Sequence, residues 1–104
     1  MEKYEQIAFQ IISNVGMAKS TFMEAISKSK EGNYTDADNL LKEGNQYLID
    51  GHKVHKDLIQ EEAKGESIPM NLLLVHAEDQ LMSSEIIKEM AKELIYIHKH
   101  YKNN

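Results

Sequence analysis

The sequence contains no cysteine, no arginine and no tryptophan, and it has a single proline. The lack of cysteine excludes a disulfide framework, a thiol nucleophile and a thiolate metal site. With one proline and five glycines, the chain has few of the residues that end helices and form tight turns. This scarcity favours a few long helices over many short strands.

All twelve basic residues are lysines, and the formal net charge is −5. Proteins that bind nucleic acids usually carry a basic patch rich in arginine, whose guanidinium group makes bidentate contacts with bases and phosphates. An acidic chain without arginine argues against that class of protein. It also excludes an arginine finger, so any phosphate chemistry has to use other groups.

The chain also lacks a long apolar run. No apolar stretch approaches the roughly 18 residues that a membrane-spanning helix needs, and the N-terminal sequence MEKYE does not resemble a signal peptide. The 104 residues, 41% of them hydrophobic and 28% charged, suffice for one modest core. We therefore expect a single domain over residues 1–104, located in the cytoplasm.

Two short breaks divide the sequence into three helical segments. The first break lies at Gly32, which suits the end of a helix, and Asn33 or Thr35 suits the cap of the next one. The second lies at residues 65–69, where Gly65 suits the end of a helix and Pro69 fits the first position of the next. The predicted helices cover residues 3–31, 35–64 and 69–101. Their similar lengths and short loops predict an all-α fold, an antiparallel up-down three-helix bundle.

Apolar and small residues recur at alternating spacings of four and three on the first two predicted helices, as on the core faces of a bundle. These residues are Tyr4, Ala8, Ile11, Val15, Ala18, Phe22, Ala25 and Ser29, followed by Ala37, Leu41, Gly44, Leu48, Gly51, His55 and Leu58. Each of the two glycines costs about 1 kcal/mol relative to alanine inside a helix. We infer that a neighbouring helix approaches closely at Gly44 and Gly51.

The third predicted helix has two opposed apolar stripes. At 100° of rotation per residue, one group lies within about 60° of Asp79. This Asp79 stripe contains Leu72, Val75, Met82, Ile86, Met90 and Ile97. The opposite stripe contains Leu74, Ala77, Leu81, Ala91 and Ile95. A three-helix monomer needs only one stripe, so the second predicts contact with another subunit. The alternative is a helix that is wrapped on all sides within one chain.

Asp79 lies at the centre of its stripe, with no lysine beside it. A lone buried carboxylate costs several kcal/mol unless it is paired or bound to a cation. Three explanations are open. The periodicity is misassigned and Asp79 faces solvent; or Asp79 holds a nearby histidine; or copies from several subunits meet around a cation on an oligomer axis. Carboxylate oxygens suit a hard ion such as Mg²⁺.

His76 lies one turn before Asp79, at the edge of the Asp79 stripe. A neutral imidazole nitrogen is a nucleophile at pH 7 and can accept a phosphoryl group directly. The plainer explanation for a single histidine at this place is an interface residue with satisfied hydrogen bonds. His52 and His55 are spaced as a metal-binding pair on the second helix, but no third ligand is evident.

The stretch Pro69–Met82 resembles the signature of the lactose/cellobiose family of phosphotransferase-system (PTS) enzyme IIA subunits. Its sequence is PMNLLLVHAEDQLM, with the core pattern Leu-Val-His-Ala-x-Asp-x-Leu-Met. The resemblance extends over essentially the whole chain. It includes residues 11–20, the break at 32–34 and the segment 63–65 before the last helix.

This resemblance implies a three-helix bundle that assembles as a homotrimer. His76 matches the family's phosphorylated histidine, and Asp79 matches the carboxylate that meets its symmetry mates on the trimer axis and binds a divalent cation, usually Mg²⁺. The phosphoryl group would come from phospho-HPr and pass to a cysteine of the sugar-specific IIB component. The membrane component IIC would then import a β-linked disaccharide of the cellobiose or lactose type.

Two positions depart from the family pattern. Glu78 stands where family members commonly have glutamine, and Gln80 stands where they commonly have a second histidine. Gln80 lies one turn from His76 and can assist it by donating an amide hydrogen bond, but it cannot carry a proton. Because His76 and Asp79 are both retained, the resemblance still implies phosphoryl transfer.

The residues alone leave two other functions open. One is a non-catalytic helical adaptor, which would bind partner helices through the Asp79 stripe and would not need His76. The other is a metal-binding bundle that uses His52, His55 and Asp79, and this bundle would hold its metal as a monomer.

Overall fold

Three long helices account for most of the chain. The computed structural model describes residues 2–101, and within them α1 spans Lys3–Lys30, α2 spans Tyr34–Ala63 and α3 spans Leu72–His100. The helices run up, down and up, and the described part measures 58 × 23 × 20 Å. Helix α1 packs against both of the others, which contact each other less. The predicted all-α antiparallel bundle is confirmed.

Glycines end the first two helices. Gly32 and Gly65 have φ angles of +82° and +92°, in the left-handed region that glycine adopts without steric cost. After each glycine, the next backbone N–H bonds back to the last turn, from Asn33 to Lys28 and from Glu66 to Glu61. These Schellman-type bonds satisfy carbonyl groups at the helix ends and reverse the chain over few residues.

The third helix begins later than the sequence predicts. The expected start is Pro69, but α3 begins at Leu72. Asn71 caps it, since its side-chain oxygen accepts a hydrogen bond of 2.9 Å from the backbone N–H of Leu74. Asparagine is among the strongest N-cap residues, and this bond outweighs the fit of proline to a first helical position. The predicted ends of the other two helices differ from the structure by one residue.

The core lies where the predicted faces meet. On α1 every predicted core residue from Ala8 to Ser29 is buried, and Tyr4 is partly buried. The opposite stripe of α3 is buried throughout. On α2, five of the seven predicted positions are buried, and Leu41 and His55 are partly buried. The periodicity of the sequence therefore identifies the inner face of all three helices.

Gly44 allows α1 and α2 to approach closely. A Cβ atom at this position would lie 2.6 Å from a ring carbon of Phe22, which is fully buried. Gly51 is different, because a Cβ atom there would lie 3.5 Å from a methyl group of Val15, which is an ordinary van der Waals distance. The inferred close approach is confirmed at Gly44, and at Gly51 there is room for a methyl group.

We expect Gly44→Ala to destabilise the protein and Gly51→Ala to stabilise it. The first substitution forces the Phe22 ring to move and costs about 1–3 kcal/mol in the free energy of unfolding. The second adds helix propensity without a clash and contributes about 0.5–1 kcal/mol. Urea denaturation at one protein concentration measures both. A Gly44→Ala protein as stable as the Gly51→Ala protein would contradict the close packing against Phe22.

Glu61 joins the end of α2 to the start of α1. Its carboxylate accepts hydrogen bonds from the Tyr4 hydroxyl at 2.6 Å and from the Lys3 ammonium at 2.9 Å. The bond from Tyr4, followed by the bond from Lys3, holds the pKa of Glu61 below its ordinary value of 4.5. The same contacts with Glu61 raise the pKa values of Lys3 and Tyr4.

The lowered pKa of Glu61 predicts a loss of stability in acid. A carboxylate whose folded-state pKa is depressed stabilises the protein fully above its unfolded value, and this contribution disappears as the pH falls below about 4.5 through the folded-state pKa. We therefore expect the melting temperature to fall less between pH 7 and pH 3 in Glu61→Gln than in the wild type. The control is Glu62→Gln, which removes an exposed carboxylate beside it and should keep the wild-type acid loss. An unchanged loss in Glu61→Gln would refute the assignment.

Candidate functional site

His76 lies near the start of α3, with its ring at the surface. Together with Leu72 and Leu73 it lines a shallow, mainly apolar depression of about 520 Å³. The residue is exposed within the single chain. A ring in this position can be reached from solvent. The structure thus confirms the predicted place of His76, and its role as the phosphoryl acceptor stays a prediction.

The Asp79 stripe lies on the outside of the bundle. Leu72 is 83% exposed, Met82 67% and Ile86 66%, and the other members are also exposed. The alternative of a helix wrapped within one chain is therefore wrong. Phe9 and Met23, which lie off the α1 core face, are exposed as well. Contiguous exposed apolar surface of this kind typically marks a contact with another protein.

Asp79 is exposed at the centre of this stripe. The explanation by misassigned periodicity is wrong, because the opposite stripe is buried as predicted. A bond to a nearby histidine is not found either: among residues 2–101, the carboxylates that contact histidines are Glu78 and Glu85. The third explanation, in which Asp79 residues of several subunits meet around a cation, requires more than one chain and stays a prediction.

His52 and His55 each contact a different glutamate of α3. The Nε2 atom of His52 pairs with Glu85, and that of His55 lies 2.6 Å from Glu78. The described part of the chain contains no group of three His, Asp or Glu residues placed to hold a metal ion. The metal-binding monomer with His52, His55 and Asp79 is therefore wrong. The pair with His55 also directs the carboxylate of Glu78 toward α2.

Gln80 is held by a lysine of the neighbouring helix. Its Oε1 atom accepts a hydrogen bond of 2.9 Å from the ammonium group of Lys19 on α1. Residues four apart on a helix lie on one face, with Cβ atoms about 5–6 Å apart, so Gln80 is next to His76. The bond to Lys19 leaves the amide nitrogen of Gln80 available as a donor. The assisting hydrogen bond from Gln80 to the His76 site stays a prediction.

Lys19 is the residue of this region to which no sequence pattern points. It lies within the segment 11–20 that carries part of the family resemblance, on the flank of the α1 core face next to Ala18. Its distance of 61 residues from Gln80 gives no local pattern. Only the side-by-side packing of α1 and α3 brings a positive charge next to the turn that carries His76.

No helix within residues 2–101 combines the length and the apolar character that crossing a bilayer requires. The three helices build one bundle with an exposed apolar stripe.

The site region near the start of α3 contains an exposed imidazole, a neighbouring amide, and a lysine that reaches across from α1.

The sequence of almost the whole chain is typical of one protein family. The family model "PTS system, Lactose/Cellobiose specific IIA subunit" matches residues 6–99. The chain belongs to this family. PTS IIA components are phosphotransfer proteins, and the resemblance that the segment Pro69–Met82 carries is confirmed.

Curated members of the family are similar over almost their full length. The lichenan-specific phosphotransferase enzyme IIA component of Bacillus subtilis is 42% identical over 97 residues, which are 93% of this chain and 88% of the relative. The oligo-beta-mannoside-specific EIIA component of the same organism is 41% identical over 95 residues, 91% of this chain and 86% of the relative.

Solved structures agree with the fold. The PTS cellobiose-specific enzyme IIA from Bacillus anthracis has a TM-score of 0.95 at 38% identity, covering 98% of this chain and 94% of that one. The IIA(Chitobiose)–HPr complex of the N,N'-diacetylchitobiose branch of the Escherichia coli PTS gives a TM-score of 0.85 at 30% identity. That match covers 99% of this IIA chain and 100% of the other.

Proposed function

We propose that this chain is a cytoplasmic phosphocarrier, which accepts a phosphoryl group from phospho-HPr on His76 and passes it to a cysteine of a IIB component. The observation that carries the proposal is the exposed ring of His76, which lies in an apolar depression within the family-like stretch Pro69–Met82. The E. coli IIA(Chitobiose)–HPr complex supports HPr as the donor.

The transfer exchanges one bond to phosphorus for another. The lone pair of the unprotonated His76 nitrogen attacks the phosphorus atom, and the bond between phosphorus and the donor atom of phospho-HPr breaks, with its electron pair staying on the donor atom. In the second step a cysteine thiolate of IIB attacks, and the His76 N–P bond breaks in the same way. Both steps need in-line access to the phosphorus, and the exposed position of His76 supports this.

Gln80 is the assisting neighbour in this proposal. Its amide nitrogen can donate a hydrogen bond toward the group on His76, while its oxygen accepts from Lys19. The carboxylate of Glu78 is paired with His55 on the α2 side, so its negative charge adds little repulsion at His76. The two departures from the family pattern are therefore compatible with phosphoryl transfer.

The proposed assembly is a homotrimer built on the Asp79 stripe. The exposed apolar residues around Asp79 need a partner, and a threefold axis brings three carboxylates together. One exposed carboxylate in a single chain is too few ligands for a divalent ion, but three carboxylates suit Mg²⁺. Asp79 of each subunit would hold the ion, which would neutralise the repulsion between the three charges.

The sugar is a β-linked oligosaccharide, imported by a membrane component IIC that this chain serves only through IIB. The curated relatives for lichenan and oligo-β-mannosides are 42% and 41% identical to this chain, whereas a lactose-specific EIIA component of Staphylococcus epidermidis is 31% identical. These values support a sugar of the cellobiose type over lactose.

Incubation with labelled phospho-HPr tests the proposal. We expect the chain to gain one label per subunit, the label to be stable in base and labile in acid as for an N–P bond, and mass spectrometry to locate it on His76. Added IIB should then remove it. If the label is found on another residue, the site is wrong, and if no label is transferred, the phosphocarrier function is wrong.

A further inference from the structure

Lys19 is unusual among the lysines of this acidic chain, because its contact is a neutral amide. Its ammonium group donates to Oε1 of Gln80 at 2.9 Å, and both side chains are partly buried. Within residues 2–101, no carboxylate lies within 4.0 Å of this ammonium group, whereas Lys3 and Lys92 have such partners. The positive charge of Lys19 is therefore not neutralised by a carboxylate within the described part of the chain.

The position of Gln80 brings this charge to the site. Gln80 follows His76 by one helical turn on the same face of α3, and Lys19 reaches it from α1. A phosphoryl group on the His76 ring would add about −1.5 to −2 charges within reach of the flexible lysine side chain. Hydrogen bonds between two charged groups are roughly twice as strong as those between neutral groups, so the phosphoryl oxygens compete well with the amide of Gln80.

We propose that Lys19 binds the phosphoryl group on His76. In the free protein Gln80 holds the ammonium group beside the site. On phosphorylation the ammonium group turns from Oε1 of Gln80 to a phosphoryl oxygen. This inference rests on the proposed function, because it takes His76 as the acceptor. Lys19 would then supply the positive charge that arginine often supplies at phosphate sites, in a chain that contains no arginine.

The consequence is a change in the position of the transfer equilibrium. A bond to Lys19 stabilises the phosphorylated chain relative to phospho-HPr, so the chain keeps a larger share of the phosphoryl groups. A hydrogen bond between charged partners contributes enough to change an equilibrium constant about tenfold or more. Arginine at position 19 would keep the charge, whereas glutamine would keep only the ability to donate a hydrogen bond.

The first experiment measures the equilibrium between phospho-HPr and the chain. We expect Lys19→Gln to shift the equilibrium constant about tenfold toward phospho-HPr, and Lys19→Arg to stay close to the wild type. The control is Lys30→Gln, which removes the same charge at the end of α1, roughly 16 Å away along the helix, and should leave the constant within about twofold. If Lys19→Gln equals the control, Lys19 does not bind the phosphoryl group.

The second experiment does not depend on HPr. Potassium phosphoramidate phosphorylates histidine chemically, and NMR then follows the side-chain ammonium resonance of Lys19 in the full chain. We expect this resonance to move on phosphorylation in the wild type and to stay in place in His76→Ala. An unmoved resonance in the phosphorylated wild type would overturn the inference. If the resonance moves but HPr transfers nothing, the error lies in the proposed donor and not in Lys19.

Discussion

His76→Ala is expected to abolish labelling by phospho-HPr, with a loss on the order of a thousandfold or more, as for other substitutions that remove a nucleophile. The reason is that the substitution removes the ring nitrogen that forms the N–P bond, and the neighbouring Gln80 has no basic nitrogen to replace it. The fold should survive, because His76 is exposed and lies outside the buried core. The measurement is the initial rate of label transfer, with circular dichroism as the check on folding.

Other histidines provide the matched controls. His52→Ala and His98→Ala remove rings from elsewhere on the bundle and should keep the wild-type rate. A His76→Ala protein that is labelled as fast as these controls would show that the phosphoryl group has a different acceptor. It would also favour the adaptor function, in which the Asp79 stripe binds partner helices and His76 has no part.

Ile86→Lys is expected to convert a three-chain assembly into single chains. Ile86 is 66% exposed on the Asp79 stripe, so a trimer on this stripe would bring three lysines into an apolar interface at a cost of several kcal/mol each. Sedimentation should give three times the chain mass of 12.0 kDa for the wild type and 12.0 kDa for the variant. Glu89→Lys places the same charge outside the stripe and should leave the assembly intact. Wild-type protein that sediments as a single chain would contradict the trimer.

Sedimentation also tests whether Asp79 holds a divalent ion in the assembly. Three carboxylates on an axis repel one another once their cation is removed, so a chelator should weaken the wild-type assembly. Asp79→Leu should fold, assemble without a divalent ion and ignore the chelator, since Asp79 is exposed in the single chain and contributes nothing to its core. Equal responses of the two proteins to the chelator would argue against an axial ion held by Asp79.

The fold could be predicted from the sequence because each helix of a bundle repeats the same spacing of apolar residues. Alternating spacings of four and three place Ala8, Phe22 and Ala25 on one face of α1, and this face is buried in the bundle. Gly32 and Gly65 end helices because glycine adopts the left-handed backbone conformation without steric cost, and this property does not depend on the rest of the fold. The start of α3 differs from the predicted one because two residues there favour different starts: Pro69 fits a first helical position, and Asn71 is a strong N-cap. The hydrogen bond made by the side chain of Asn71 favours the later start.

The candidate site was predictable only in part. The sequence by itself determined the three helices, their inner faces, the second stripe around Asp79 and the place of His76 at its edge, since all of these follow from helical periodicity within one segment. Only the tertiary structure decided that Lys19 meets Gln80, that Glu78 pairs with His55 and that Gly44 accommodates the ring of Phe22. Each of these contacts joins side chains from different helices, and helical periodicity carries no information on how two helices are aligned along their length.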